Sequence, residues 1–172
     1  YDQTHHDNGW KVMLNLMDYT LTSHLDGDGK VLDVGCGTGL LGKELDSYQF
    51  NNLYGIDISQ KSLEFADTFG IYKGLSQAEL GKTLDFESNS FDALVSSGVF
   101  TRGQVPLNAF EELIRVLKPN GLFMVGLRVE DNDFYYNKLK AYYEDGVLAE
   151  VFKTRAKVLL SCNHDLVLVK KL

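Results

Sequence analysis

The order of apolar and polar residues along this 172-residue chain predicts a doubly wound α/β fold. Short apolar runs, which are typical of buried parallel strands, alternate with segments of helical periodicity. The first run, Val31–Val34, leads directly into alternating glycines at Gly35, Gly37 and Gly39. Such alternation builds a parallel sheet, because each crossover helix packs back onto one of its faces. The last two strand-like runs have no helix between them and therefore predict an antiparallel hairpin at the sheet edge.

Seven predicted strands and the helices between them follow one another along the chain. Before the first strand, the segment from Val12 to Leu25 has helical periodicity and ends at the turn Asp26-Gly-Asp-Gly29. Strands are predicted at Val31, Leu53, Tyr72–Leu75, Ala93–Val95, Leu122–Leu127, Val151–Leu160 and Asp165–Val169, and helices from Leu40, around Ser62–Phe69, near Leu107–Leu117 and over Asn132–Tyr143. We therefore predict a mostly parallel seven-stranded sheet with helices on both faces and an antiparallel C-terminal hairpin, joined by Ser161-Cys-Asn-His164.

The composition is that of an ordinary globular protein, with 44% hydrophobic and 24% charged residues. The length fits a single domain over residues 1–172, and the start at Tyr1 suggests that this domain is truncated at its N-terminus. The chain shows no signal peptide and no apolar run long enough to span a bilayer, so we expect a cytoplasmic protein without a membrane partner. A formal net charge of −7 without a basic stripe argues against nucleic-acid binding. The sequence does not indicate the oligomeric state.

The glycine loop after the first strand predicts a ligand that lies against bare backbone. Glycine allows a sharp turn and a close approach, and the first N–H groups of the following helix would face the same ligand. Asp33 stands two residues before Gly35. Its carboxylate would repel a pyrophosphate but attract an ammonium or a sulfonium. The loop therefore predicts a small zwitterion that carries a ribose.

Four segments resemble, in order, the motifs of class I S-adenosylmethionine-dependent methyltransferases. They are Val31–Gly39, Leu53-Tyr-Gly-Ile-Asp57, Ser90–Gly98 and Leu117–Val125, and they span most of the chain. The resemblance implies a methyltransferase domain with S-adenosylmethionine as cofactor and S-adenosylhomocysteine as product. Within the class, Tyr1-Asp-Gln and Gly103-Gln-Val-Pro106 are most similar to the methyltransferase-like proteins of the Williams–Beuren chromosome region.

The resemblance also assigns cofactor-binding positions. They are Asp33, Gly35, Cys36, Gly37, Thr38, Gly39, Asp57, Ile58, Ala78, Glu79, Ser96 and Gly98. Asp57 would accept from both ribose hydroxyls or cap the next helix, although Ser59 is the better cap. The adenine amino group would be held by Glu79, by Gln77 or by backbone. Asp33 would contact backbone N–H groups of the glycine loop and reach the cofactor's amino group directly or through water.

A dinucleotide is the rival ligand, because the stretch from Gly37 to Gly42 also fits the pattern G-x-G-x-x-G. Asp33 argues against a dinucleotide, since its carboxylate would repel the pyrophosphate and no positive charge nearby would offset that repulsion. Gly42 falls inside the predicted helix, where close packing of helix on sheet explains a glycine. S-adenosylmethionine is therefore the favoured cofactor.

The acceptor is less well defined, and we expect a small molecule. A sulfonium carries an activated methyl group, so no catalytic residue is assigned, and the four histidines are too dispersed to predict a metal site. Arg102 and Arg128 follow strands and would either bind an acidic acceptor or form surface ion pairs. Two alternatives stay open: a cofactor-binding domain without catalysis, and a protein methyltransferase whose acidic surface receives a basic target.

Overall fold

The structure is a computed structural model that describes residues 17, 20–159 and 162–172. Its strands are β1 (Val31–Val34), β2 (Leu53–Asp57), β3 (Tyr72–Gln77), β4 (Phe91–Phe100), β5 (Leu117–Arg128), β6 (Leu148–Leu159) and β7 (Cys162–Lys171). Its helices are α1 (Leu40–Ser47), α2 (Gln60–Asp67), α3 (Ala109–Val116) and α4 (Asn132–Glu144), with a short 3-10 turn over Val129–Asp131. Residues 17 and 20–22 are also helical.

The seven strands form one sheet in the order β3-β2-β1-β4-β5-β7-β6. Strands β1 to β5 pair in parallel, whereas β7 pairs antiparallel with both β5 and β6. The predicted fold and its C-terminal hairpin are therefore confirmed. The strand order reverses at β1, which has β2 on one side and β4 on the other. In open α/β sheets such a reversal leaves a crevice at the carboxyl ends of the strands.

Apolar side chains bury both faces of the sheet. On one face, Phe110 of α3 and Tyr135 of α4 pack against Leu94 of β4. On the other, Leu45 of α1 packs with Val95, the next residue of β4. Successive side chains of a strand point to opposite faces, so a continuous apolar run in β4 supplies both cores.

Several element boundaries differ from the predicted ones. Strand β5 begins at Leu117, whereas the sequence predicted a start at Leu122. The predicted turn around Asn120 is a bulge inside the strand and not a turn before it. The neighbouring strand pairs first with Leu117 and next with Leu122, which leaves the residues between them without partners in β4. Strand β4 is also longer than predicted, and residues 162–164 belong to β7.

Most of the helix predicted over residues 12–25 lies outside the described residues, as do residues 160 and 161 of the hairpin connection. Among the helices that the structure describes, none has the length and apolar character needed to cross a membrane. The cytoplasmic location stays a prediction.

Candidate active site

A cavity of about 850 Å³ opens along the carboxyl ends of the strands, from the end of β3 to the start of β7. Its volume lies near the upper end of the usual range for small-molecule sites, about 300–1,000 Å³. Ten of the twelve predicted site residues line it: Asp33, Gly35, Cys36, Gly37, Thr38, Asp57, Ile58, Ala78, Glu79 and Gly98. The other two, Gly39 and Ser96, do not.

The glycine loop turns sharply at the end of β1 and lies against β2. The N–H groups of Gly35 and Cys36 both donate to the carbonyl of Ile56, at 2.8 and 2.9 Å. Gly35 and Gly37 have φ angles of +70° and +53°, a region that side chains disfavour. A Cβ at Gly35 would lie 2.3 Å from Val99, whereas a Cβ at Gly37 would meet nothing within 4 Å. The backbone at Gly37 therefore faces open cavity.

Gly39 shapes the loop from outside the cavity. It lies at the N-terminus of α1 with a φ of +86°, and a Cβ there would stand 3.2 Å from that of Ala66. The close contact between the start of α1 and helix α2 explains this glycine without a ligand.

Asp57 ties the glycine loop to the end of β2. One carboxylate oxygen accepts from the N–H of Gly37 at 2.9 Å, and the other accepts from the N–H of Ser59 at 2.8 Å. The hydroxyl of Ser59 accepts from the N–H of Ser62, so Ser59 is the helix cap, as the sequence favoured. Each carboxylate oxygen has more than one lone pair, so Asp57 keeps capacity to accept from a ligand.

Asp33 is buried in the cavity wall, and its partners differ from the predicted ones. Its carboxylate accepts from the hydroxyl of Tyr72 at 2.8 Å, and the N–H of Gly42, which belongs to α1 rather than to the glycine loop, also favours the charged form of the carboxyl and lowers its pKa. Burial and the nearby charge of Asp57 raise the pKa of Asp33 to about 7, against the opposing effect of these hydrogen bonds.

The hydroxyl group of Tyr72 leaves no room for a side chain at Gly42. A Cβ on Gly42 would stand 2.0 Å from the Tyr72 hydroxyl oxygen, so any larger residue would displace the donor of Asp33. The packing of α1 on the sheet thus explains Gly42, as the sequence suggested. Tyr72 is a site residue that sequence reasoning missed. Tyr72 is the first residue of β3, two strands from Asp33, and no local pattern in the sequence connects the two side chains.

The residues after β2 and β3 form the predicted adenine end. Ile58 is 65% exposed and lines the cavity, which leaves an apolar surface for a flat ring. Glu79 also lines it, but its half-exposed carboxylate forms an ion pair with Lys82 at 2.7 Å. Gln77 uses its amide to donate to the carbonyl of Ile58 at 2.8 Å. The geometry therefore favours Ile58 over either polar side chain as the residue that contacts a ligand.

Ser96 points away from the cavity. It is fully buried in β4, and its hydroxyl donates to the carbonyl of Val34 at 2.9 Å. The next residue, Ser97, lines the cavity instead, because side chains alternate along a strand. The Ser97 hydroxyl is buried without a hydrogen-bond partner among the described residues. The sequence therefore identified the strand that reaches the cavity, but the serine of β4 that lines the cavity is Ser97 and not Ser96.

Arg128 and His164 line the opposite end of the cavity. They face each other in the antiparallel pair of β5 and β7, and the Nε of Arg128 lies 3.6 Å from a carboxylate oxygen of Glu130. Burial lowers the pKa of the His164 imidazole, and the charge of Arg128 adds to this effect. Arg102 instead places its guanidinium over the ring of Phe134, outside the cavity lining. Sequence reasoning could not separate the two arginines or find His164, because β7 reaches this site through a hairpin.

Cys36 is a free, buried thiol. Burial and the neighbouring charges of Asp33 and Asp57 raise its pKa, so the thiol stays protonated and is not a nucleophile. The side chain of Cys162 lies outside the described part of the structure. Among the described residues, no three His, Cys, Asp or Glu side chains come together as a metal site would require.

Residues 32–125 match the family model described as a methyltransferase domain. The chain belongs to the class I S-adenosylmethionine-dependent methyltransferases. S-adenosylmethionine is the methyl donor that this family implies. The matched residues run from β1 to β5 and therefore include the glycine loop, Asp57 and the end of β4.

Two curated relatives and one solved structure show how far this methyltransferase is similar to known proteins. Methyltransferase-like protein 27 of Homo sapiens is 40% identical over 109 residues, which cover 63% of this chain and 44% of that protein. Sterol 24-C-methyltransferase ERG6A of Gibberella zeae is 34% identical over 101 residues, 56% of this chain and 26% of that protein. The chain thus spans less than half the length of either relative.

The solved structure is a TehB-like SAM-dependent methyltransferase from Corynebacterium glutamicum. It superposes with a TM-score of 0.71 and 20% identity, over 90% of this chain and 86% of the other. At that identity the likeness shows the fold alone.

The residues that line the cavity fit the cofactor that the family implies. The backbone at Gly37 faces open space that a ligand would fill, and Asp57 offers acceptor capacity beside it. Ile58 presents an exposed apolar face, and Asp33 supplies a carboxylate in the wall. A ribose, an adenine and an ammonium group each have a chemically suitable partner in this set.

Proposed function

We propose that the protein transfers a methyl group from S-adenosylmethionine to a small-molecule acceptor. One observation carries the proposal: a single cavity joins the glycine loop and Asp57 to the distant end at Arg128 and His164. The first end suits the cofactor, and the second leaves room beside it for an acceptor. Similarity to methyltransferase-like protein 27 and to a sterol methyltransferase supports the same class of reaction.

The residues of this chain bind and orient rather than react. Asp57 would accept from the ribose hydroxyls, Ile58 would pack on the adenine, and Asp33 would face the amino group. S-adenosylmethionine, when bound, supplies an activated methyl group on a sulfonium. Direct in-line transfer then requires alignment with the acceptor and exclusion of water. Val105 is almost fully buried in the wall at the acceptor end and contributes to that exclusion.

Cofactor binding is tested by calorimetric titration of the protein with S-adenosylhomocysteine and with NAD. We expect the first to bind, and tighter binding of NAD would contradict the proposal. Asp57→Ala should weaken S-adenosylhomocysteine binding at least about tenfold, because two ribose hydroxyls lose a charged acceptor. Asp67→Ala removes an exposed acid of α2 and is the matched control.

Asp57→Asn separates binding from folding. Asp57→Ala also removes the acceptor of two backbone N–H groups in the loop, whereas Asn keeps one acceptor oxygen for them. Melting temperatures of both variants without ligand show how much of the affinity loss comes from the loop itself.

Transfer is tested by incubating labelled S-adenosylmethionine with a panel of small molecules and a basic peptide. Label in a small molecule supports the proposal. Label in the peptide alone would indicate a protein methyltransferase. Binding without transfer to any acceptor would indicate a cofactor-binding domain without catalysis.

A further inference from the structure

The charged residues that line the cavity are divided between its two ends. Asp33, Asp57 and Glu79 lie at the end formed by β1, β2 and β3. Arg128, at the end formed by β5 and β7, is the one arginine or lysine among the described lining residues. A cationic cofactor suits the acidic end. The opposite end carries a fixed positive charge that a sulfonium and an ammonium would avoid.

Arg128 and His164 act on the same part of the cavity. They are directly opposite in the antiparallel pair of β5 and β7, and such partners project to the same side of the sheet. Strands lie about 4.8 Å apart, so β5 is about 10 Å and β7 about 14 Å from β1, which carries Asp33. Both residues therefore lie beyond the part of the cavity that faces the cofactor-binding loop.

On the basis of the function proposed above, we propose that the acceptor is a monocarboxylic acid whose carboxylate binds Arg128 beside His164. A guanidinium matches a carboxylate with two parallel hydrogen bonds, which fixes both position and orientation. The Glu130 carboxylate is half-exposed and 3.6 Å from Nε, and exposed ion pairs of this kind contribute little. An acceptor carboxylate in the cavity would therefore compete with it effectively.

A single negative charge fits better than a phosphate. Burial lowers the pKa of His164, so the imidazole is neutral near pH 7 and Arg128 provides the one fixed positive charge. Three acids line the other end of the same cavity and oppose a second negative charge. Val99 and Val105 also line the cavity, so the acid carries an apolar body. The Ser97 hydroxyl, buried without a partner among the described residues, lines the same wall and offers one further hydrogen bond.

The experiment compares acids with their amides, which keep the shape and lose the charge. The protein is saturated with S-adenosylhomocysteine and titrated with benzoate, benzamide, phenylacetate and phenylacetamide. We expect each acid to bind at least about tenfold more tightly than its amide. In Arg128→Gln this preference should fall to less than about twofold, while the affinity for S-adenosylhomocysteine stays unchanged.

Arg102→Gln is the matched control, because Arg102 is a nearby arginine outside the cavity lining and should leave the preference intact. Equal affinity for acids and amides, or no binding of either acid at millimolar concentration, would overturn the proposal. A preference that survives in Arg128→Gln or disappears in Arg102→Gln would also overturn it. If Arg128→Gln loses S-adenosylhomocysteine, Arg128 holds the cofactor's own carboxylate and the acceptor assignment is wrong. Failure of the unmodified protein to bind S-adenosylhomocysteine would instead overturn the proposed function.

Discussion

Asp33 has a carboxyl group whose protonation matters near neutral pH. Burial and the charge of Asp57 raise its pKa to about 7, above the ordinary value. The folded protein therefore binds a proton there between about pH 4 and 7, whereas the unfolded chain does not. The contribution of Asp33 to the free energy of unfolding is consequently greatest at low pH and is lost as the pH rises through about 7.

Cofactor affinity should depend on pH in the opposite direction. The ionised carboxylate attracts a cationic amino group, so we expect S-adenosylhomocysteine to bind more tightly as the pH rises from about 6 to 8. Calorimetry in buffers of different ionisation enthalpy should show proton release on binding in this range. Asp33→Asn, which cannot ionise, should weaken binding at the higher pH and flatten the profile. An unchanged profile in Asp33→Asn would assign the titration to another group.

Tyr72→Phe tests the hydrogen bond that opposes this shift. The Tyr72 hydroxyl lowers the pKa of Asp33, so its removal should move the midpoint of the affinity profile to higher pH. Tyr54→Phe, on the adjacent strand, alters a tyrosine that has no hydrogen bond to Asp33 and serves as the control. A midpoint that stays in place in Tyr72→Phe would mean that the hydroxyl does not act through Asp33.

At this scale the sequence predicts residue types better than it predicts contacts. Asp33 and Gly37 stand in one motif, and Asp57 ends the strand beside it, so their common position at the cavity follows from two adjacent parallel strands. Tyr72 contacts Asp33 and His164 lines the cavity from distant strands, and no local pattern marks either residue. The side chain of Ser96 lies outside the cavity, contrary to expectation, because β4 has three small residues in a row and such a run does not show which side of the sheet each one faces.

At the scale of elements, helix α3 depends on a lysine from the last strand. The Nζ of Lys171 donates to the carbonyls of Ile114 and Leu117, both at 2.7 Å, and to the side-chain oxygen of Asn89 at 2.9 Å. A cation at a helix C-terminus satisfies carbonyls that have no partner within the helix and interacts favourably with the helix dipole. Burial lowers the pKa of Lys171, so desolvation offsets part of this gain.

Lys171→Met should destabilise the protein by about 1–3 kcal/mol, because two carbonyls lose a charged donor. For a chain of this length the melting temperature should fall by about 3–10 °C, measured by calorimetry. Lys170→Met changes the adjacent residue, whose side chain points to the other side of the strand, and should have a smaller effect. Affinity for S-adenosylhomocysteine should stay unchanged in both variants, since α3 ends where β5 begins, and the cavity lies at the other end of the parallel strands. Equal stability of Lys171→Met and the unmodified protein would contradict this role.

The element boundaries show what periodicity captures. Strands β1 and β2 are short, apolar and followed at once by turns, so their positions were predicted closely. Strand β5 begins five residues earlier than predicted because Asn120 adopts a positive φ and allows a bulge. A turn signal in the sequence does not distinguish a strand that starts after a turn from a strand that contains it.

At the scale of the whole molecule, the fold was predictable because its alternation leaves few arrangements. Right-handed crossovers between parallel strands leave few possible orders, and the observed order β3-β2-β1-β4-β5 is one of them. At the acceptor end the sequence named Arg128 only as one of two candidate arginines and did not indicate His164, because β7 enters this end antiparallel through a hairpin. The part of the cavity predicted from sequence is therefore the part built by the carboxyl ends of the parallel strands.

Cofactor binding should stabilise the whole sheet, because the cavity draws residues from the ends of β1, β2 and β4 and from the segment after β3. A ligand that binds only the folded state at about one hundred times its dissociation constant adds about 2.7 kcal/mol to the free energy of unfolding. For this chain the melting temperature should then rise by about 5–10 °C with S-adenosylhomocysteine and not with NAD. Hydrogen exchange should slow most in the glycine loop and after β2, and least at the far edge around Lys171. A rise in melting temperature without protection of the loop would place the ligand elsewhere on the molecule.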